Sequence, residues 1–252
     1  MTERIVVTNE GVKFSIASSA AWAPGVETKD AWLAWATGEY AITEGGEPSV
    51  KHMGPLLRRR AGFAAKMALE VAYQCLGNRT DVPLVFSSRH GEASRSAELL
   101  TELAGGAPLS PTSFGLSVHN ATAGLFSIAR ADRANSTAVA AGKSSVESAV
   151  IEACGLLAEG EPDVLLVVYD CPLPKVYAAF QDCVEQPYAW AWLMRSPGTD
   201  FYSLCWSAGE KTPCSNAECL PAGLEILRFH LRKDPILERT CDRRRWLWMH
   251  HA

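Results

Sequence analysis

The sequence predicts an α/β fold, layered α/β/α about one mixed, mostly parallel sheet, and three observations carry that reading. Segments with helical hydrophobic spacing alternate with short apolar runs, giving strand, helix, strand, helix, strand in order, with right-handed crossovers expected. The run Val164-Leu165-Leu166-Val167-Val168-Tyr169 is apolar without alternation, as in a strand covered on both faces of a parallel sheet. The length of 252 residues, 48% apolar and 21% charged, suits one domain with a full core, spanning 1–252.

From the N-terminus, Val12 to Ile16 reads as the first strand and 20–25 as a turn. Asp30 to Gly38 is a short helix ended by its glycine, with Trp32 and Trp35 packing on one face. Glu44 to Ser49 is a Gly/Pro loop. A long amphipathic helix follows from Pro55 to Gly77-Asn78, along Leu57, Ala61, Ala64, Ala68, Val71, Ala72 and Cys75. Arg58, Arg59 and Arg60 open it against the helix dipole, so an acidic partner, a solvated face or internal ion pairs must account for them.

Val82 to Phe86 is the next strand, and a helix from about Ser94 to Leu103 follows it. His90, between them, has no credible nucleophile nearby in sequence and reads as a structural or surface histidine. Beyond Gly105-Gly106-Ala107-Pro108 lies the stretch Pro111 to Ser145, around which the chain is organised. Val118, Leu125 and Ile128 recur there at helical spacing, and Ala121 and Gly124 keep that face small enough for another backbone to approach. The strand from Ser136 to Ala141 then meets Gly142-Lys143-Ser144-Ser145, whose serines can cap the next helix. Such a strand-to-helix turn is where many α/β enzymes hold a nucleophile, and here it carries Lys143.

That next helix ends at Gly160, and Tyr188 to Met194 is a further strand. The chain reads as loop-rich from Ser196 to Gly223 and helical from Leu224 to Leu231. Its end, Arg243-Arg244-Arg245-Trp246-Leu247-Trp248, reads as an edge strand with both tryptophans on one face. A basic, aromatic contact for nucleic acid or an anion is the other reading of that end.

Composition excludes several classes. A net charge of −4 gives no nucleic-acid footprint. No apolar run approaches the roughly 18 residues of a membrane span. MTERIVVTNEGVKF lacks the basic and apolar regions of a signal peptide, so a cytoplasmic protein is expected. The eight cysteines form no C-x-x-C pair and read as reduced thiols. Zinc through Cys214, Cys219 and Cys241 matches no standard finger, and a P-loop at Gly142-Lys143-Ser144 would need a glycine where Thr137 stands. No metal and no cofactor are expected.

The stretch from Val118-His119-Asn120-Ala121-Thr122-Ala123-Gly124 through the strand to Lys143 resembles the N-terminal half of β-ketoacyl synthases, in the thiolase-like superfamily. Aligned on Asn120 and Gly124, the family's nucleophilic cysteine falls on Lys143, or on Gly142 with one gap, so the condensing chemistry looks absent. The six histidines do not replace the catalytic pair of the missing second half, so a single thiolase-like half is implied. Further segments look like short ketosynthase-like proteins of aryl-polyene-type clusters, often labelled chain-length-factor-like. They are 21–25 with Trp32 and Trp35, 57–60 with 67–72, 169–174, 187–189 and the Arg/Trp end.

The resemblance implies a non-catalytic subunit that pairs with a full β-ketoacyl-ACP synthase, stabilises it and shapes its acyl tunnel in aryl polyene or fatty-acid-like biosynthesis. Thr137, Ala138 and Val139 would pair with the partner's matching strand. Phe114, Leu116 and Val118, on the loop entering the Asn120 helix, would line the partner's tunnel. Arg58 to Arg60 would meet an acidic partner, with an acyl carrier protein as one candidate. The alternative is a residual enzyme that decarboxylates malonyl- or acyl-thioesters at the Lys143 turn.

Overall fold

In a computed structural model, which describes residues 11–209, 219–241 and 243–252, the apolar runs assemble into one eight-stranded sheet. In chain order its strands are β1 (Gly11–Trp22), β2 (Leu84–Ser87), β3 (Ser136–Val139), β4 (Val164–Asp170), β5 (Tyr188–Arg195), β6 (Phe201–Ala208), β7 (Ile236–Cys241) and β8 (Arg244–His251). Across the sheet they run β3-β2-β4-β5-β1-β6-β8-β7. The helices are α1 (Lys29–Thr37), α2 (Pro55–Arg60), α3 (Phe63–Leu76), α4 (Ala93–Ala104), α5 (Pro111–Gly115), α6 (Ala121–Arg130), α7 (Ser145–Ala158) and α8 (Ala222–Arg232).

Both faces of the sheet are covered, and β4 shows how its sequence achieves this. Successive side chains leave a strand on opposite faces. Val164, Leu166 and Val168 enter a core with α1, α7 and α8, while Leu165, Val167 and Tyr169 enter a second core with α3 and α6. An uninterrupted apolar run is the only pattern that serves two cores. Tryptophans fill the wider one: Trp190 and Trp192 of β5, and Trp246 and Trp248 of β8, are fully buried. Trp32 and Trp35 meet edge-on at 5.1 Å, as packing residues.

The layered α/β/α arrangement and the mixed sheet agree with the sequence, but the expected parallel majority does not. Parallel pairing is confined to β3-β2-β4, and every other neighbour is antiparallel. Burial on both faces makes a strand apolar whatever its direction, so the pattern of β5 could not report that it runs against β4.

Four further expectations need correction. The helix from Pro55 breaks at Ala61, which is extended (φ −67°, ψ 127°), and restarts at Phe63. Arg58, Arg59 and Arg60 therefore sit in the last turn of α2, where cations favour the dipole instead of opposing it. Of the helix expected over 118–128, residues 121–128 are helical, in α6, and 118–120 form the turn before it. Val118 precedes α6, Leu125 is buried, and Ile128 is 66% exposed, so these three share no face. The stretch taken as loop after Ser196 contains β6, whose Ser and Cys residues hid its alternation. Finally, β8 is not an edge: β6 and β7 flank it, and β7 is the outer strand.

Candidate functional site

Two places carry the expected functional residues: the turn after β3 and the outer edge of β3 itself. The turn is built by backbone geometry and one serine. Gly142 adopts φ +56°, which favours glycine. The Ser145 hydroxyl accepts from the Ala141 amide at 2.9 Å and donates to the Gly142 carbonyl at 2.7 Å, pinning the turn from inside. Ser144, at the N-cap position of α7, gives no side-chain cap. Its hydroxyl instead accepts from Trp246 Nε1 at 3.2 Å and lies 3.1 Å from Cys241 Sγ. The C-terminal strands thus brace the turn.

Lys143 projects from this turn toward Asp182, with Nζ 3.0 Å from Oδ2. Arg89, just past the end of β2, donates to both oxygens of the same carboxylate, at 2.7 and 2.9 Å. The Arg89 hydrogen bonds, seconded by Lys143, lower the Asp182 pKa to about 2. Asp170, at the end of β4, organises the 88–91 turn by accepting from Ser88 Oγ at 2.8 Å and from the Arg89 and His90 amides at 3.1 Å each. Burial pushes the Asp170 carboxyl above its ordinary range, while those three donors pull it down. His90 stands 3.3 Å from Glu185.

These groups wall a cavity of about 460 Å³ at the carboxyl ends of β2 and β4. Its far side is formed by the start of α8 and by β7, where Arg239 bridges Glu225 (2.8 Å) and the buried Glu147 of α7. Cys183, Cys219 and Cys241 also line it. Burial raises the Cys183 pKa to about 11, so its thiol stays protonated at neutral pH and is no nucleophile. The cavity's walls carry two groups of paired charges, Arg89 and Lys143 with Asp182 on one side and Arg239 with Glu225 and Glu147 on the other. Of the three cysteines considered for zinc, Cys214 lies outside the described residues, among which no metal-ligating cluster occurs.

The second place is the sheet edge. Among the described residues, Thr137, Ala138 and Val139 of β3 pair with β2 on one side only, and β3 ends the sheet. On the chain leading into α6, Phe114 is 61% exposed and Val118 is also exposed, whereas Leu116 packs partly against the core of α3 and α6. Asn120 is the exposed N-cap residue of α6. A Cβ at Gly124 would meet nothing within 4 Å among the described residues, so its smallness serves no packing among them. Sequence reasoning missed Leu100 and Leu103, exposed on α4, which packs against α5. It also missed the Arg89–Asp182–Lys143 cluster. The one available signal was that Arg89 and Lys143 each follow a predicted strand. Arg59 and Arg60 are exposed on α2, apart from both places, and Arg58 donates weakly to the Ser49 carbonyl at 3.4 Å.

Comparison with known proteins bears on the whole chain. A family profile described as "Beta-ketoacyl synthase, N-terminal domain" matches residues 32–249. The fold is similar to a chain of a ketosynthase (ApeO) in complex with its chain length factor (ApeC) from Xenorhabdus doucetiae. That match has 25% identity and a TM-score of 0.79, covering 94% of this chain and 99% of that one. The ishigamide ketosynthase/chain length factor gives 13% identity and a TM-score of 0.69 over 96% and 99%. A β-ketoacyl synthase from Burkholderia phymatum gives 10% and 0.56 over 75% of this chain and 60% of that one, a likeness of fold alone. No curated protein matches by sequence. Among the described residues, no helix is long and apolar enough to cross a membrane.

Proposed function

The chain belongs to the β-ketoacyl synthase N-terminal-domain family, and on that premise we propose that it is a non-catalytic, chain-length-factor-type subunit. It pairs with a full β-ketoacyl-ACP synthase in the cytoplasm, stabilises it and shapes its acyl tunnel during aryl polyene or fatty-acid-like biosynthesis. The observation that carries this reading is the open edge of β3, uncharged and free of proline, directly before the turn of Gly142 and Lys143 on which the resemblance puts the family's nucleophile position. A bare strand edge is a template for another chain's strand. The exposed Phe114 and Val118 would then cross toward the partner's tunnel, where bulk limits chain length because overpacking a filled pocket costs about 1–3 kcal/mol. An acyl carrier protein is the proposed acidic partner of Arg58, Arg59 and Arg60.

Decarboxylation at Lys143 is the weaker reading. Arg89 and Lys143 stabilise a carboxylate in its charged ground state, which opposes loss of CO2. Co-expression with a full ketosynthase, followed by size exclusion with light scattering, tests the proposal. A one-to-one complex of stable mass is expected, and a self-sufficient species that ignores the synthase overturns it. Within the complex, Lys143→Ala should leave product formation intact and Phe114→Ala should lengthen the product.

A further inference from the structure

A second cavity, of about 410 Å³, lies where α3 and α4 both begin. His90 and Asp170 line the first cavity, whereas Glu92 and Cys171, close to them in sequence, line this one. The volume is that of a small-molecule site, and Phe63, Pro172 and Pro187 give it apolar walls. Phe63 and Ala64 of α3, with Ala93 and Ser94 of α4, put the first turns of both helices on its lining. Neither helix has a side-chain cap, and first-turn amides have no acceptor within their own helix.

Glu92, the N-cap residue of α4, brings a carboxylate up to the start of α3. A Cβ at Gly62 would stand 2.9 Å from its Oε2, so the glycine leaves room for that approach. Oε2 also lies 3.9 Å from Arg95 Nε, and Arg95 is held in place by donating to the Arg60 carbonyl at 3.2 Å. The other oxygen is different. The Glu92 side chain is only 8% exposed, yet Oε1 has no hydrogen-bond partner among the described residues. Burial raises the Glu92 carboxyl above its ordinary range; Arg95 and the Ala65 amide pull it down, and Glu98 adds to the rise. The cavity thus sets a buried acceptor short of donors beside two helix starts rich in them.

We infer that this cavity binds a neutral primary carboxamide carried on a small apolar body. The amide nitrogen donates to Glu92 Oε1, and the amide oxygen accepts from a first-turn N–H of α3 or α4. A carboxylate brings no donor and meets Glu92 and Glu98, the two acidic groups of the wall. An ammonium brings no acceptor and meets Arg95 and the positive ends of both helices.

Calorimetric titration of the full chain at neutral pH with benzamide, benzoate and benzylamine tests the inference. Benzamide should bind, and the other two should bind at least about tenfold more weakly. Glu92→Gln keeps an acceptor for the Ala65 amide but turns a donor toward the cavity, so it should weaken benzamide about tenfold and leave benzoate no weaker. Should Glu92→Gln not fold, Ala93→Leu, which fills the cavity from the half-buried start of α4, should abolish benzamide binding. Benzamide binding that is absent from the unmodified chain, unchanged by these substitutions, or matched by benzoate or benzylamine overturns the inference. The titration needs no synthase, so its outcome is independent of the subunit reading.

Discussion

The sheet has two outer strands, and they are finished differently. At one end β7 begins after Pro235 and carries Glu238 and Arg239 in ion pairs, the first with Arg245 across the ladder at 2.6 Å, the second with Glu225 and the buried Glu147. Charges of this kind discourage a further strand from adding. At the other end β3 offers Ser136, Thr137, Ala138 and Val139, short and neutral, with the exposed Ile128 on the neighbouring α6. On the proposed function the two ends have separate jobs: one is closed by chemistry internal to the chain, the other is left for a second chain.

The largest effect is expected where the closed end is opened. Arg239→Ala leaves Glu147 as an uncompensated buried charge and should cost about 3–5 kcal/mol in denaturant unfolding. The pair substitution Glu147→Leu with Arg239→Met should recover much of that loss. If Arg239→Ala is neutral, the ion pair does not hold the β7 end together.

Acid should act on the same end next. His230 of α8, near β6 and β8, is depressed to about 4 by burial, with His250 and Lys233 adding to the shift. It is neutral in the folded chain, while the unfolded chain takes up a proton near pH ~6.5. Its contribution, on the order of 3 kcal/mol, is therefore full above that value and lost as pH falls toward about 4. Unfolding curves at pH 7 and pH 5 should differ accordingly, and His230→Gln should flatten the difference.

The open end is sharpened by a proline. Leu84 N donates to Asn135 O and Ser88 N to Val139 O, so the amides of alternate β3 residues face β2 and that of Ala138 faces outward. Ala138→Pro should change the stability of the chain by less than about 1 kcal/mol, yet weaken assembly with the synthase at least tenfold, about 1.4 kcal/mol, in a binding titration. The smallest effect is expected at Phe114→Ser, which should shift stability by no more than about 0.5 kcal/mol, measured by chemical denaturation. A large loss there would mean that Phe114 supports the fold and is not a contact held in reserve.

How much of this was legible depended on distance along the chain. The β4 and β5 runs, the α1 glycine cap and the turn at Gly142 are local signals, and the residues announce them. Strand direction is not local: Trp190 and Trp192 make β5 apolar whichever way it runs. The break between α2 and α3 was hidden because Ala61 and Ala64 keep the helical spacing across it. The candidate site was half readable. Lys143 at a strand-to-helix turn stood out, but its counter-ion Asp182 lies in an irregular connection, and its bidentate partner Arg89 is 93 residues from that aspartate. No spacing rule links such groups; only the closed sheet does.

The position of β1 sets a timetable for the nascent polypeptide. Strand β1 lies in the middle of the sheet, between β5 and β6, and its Ser15 hydroxyl donates to the carbonyl of Asp200, 185 residues later. At about 5–20 residues per second, a ribosome needs on the order of ten to forty seconds to deliver those partners. Until β5 and β6 emerge β1 lacks both of its ladder partners, whereas the helices α3, α6 and α7 that cover β4 are made before it. Closure late in synthesis implies slow folding with a high contact order, and a requirement for protection during translation that a rearranged chain beginning at α1 would lessen.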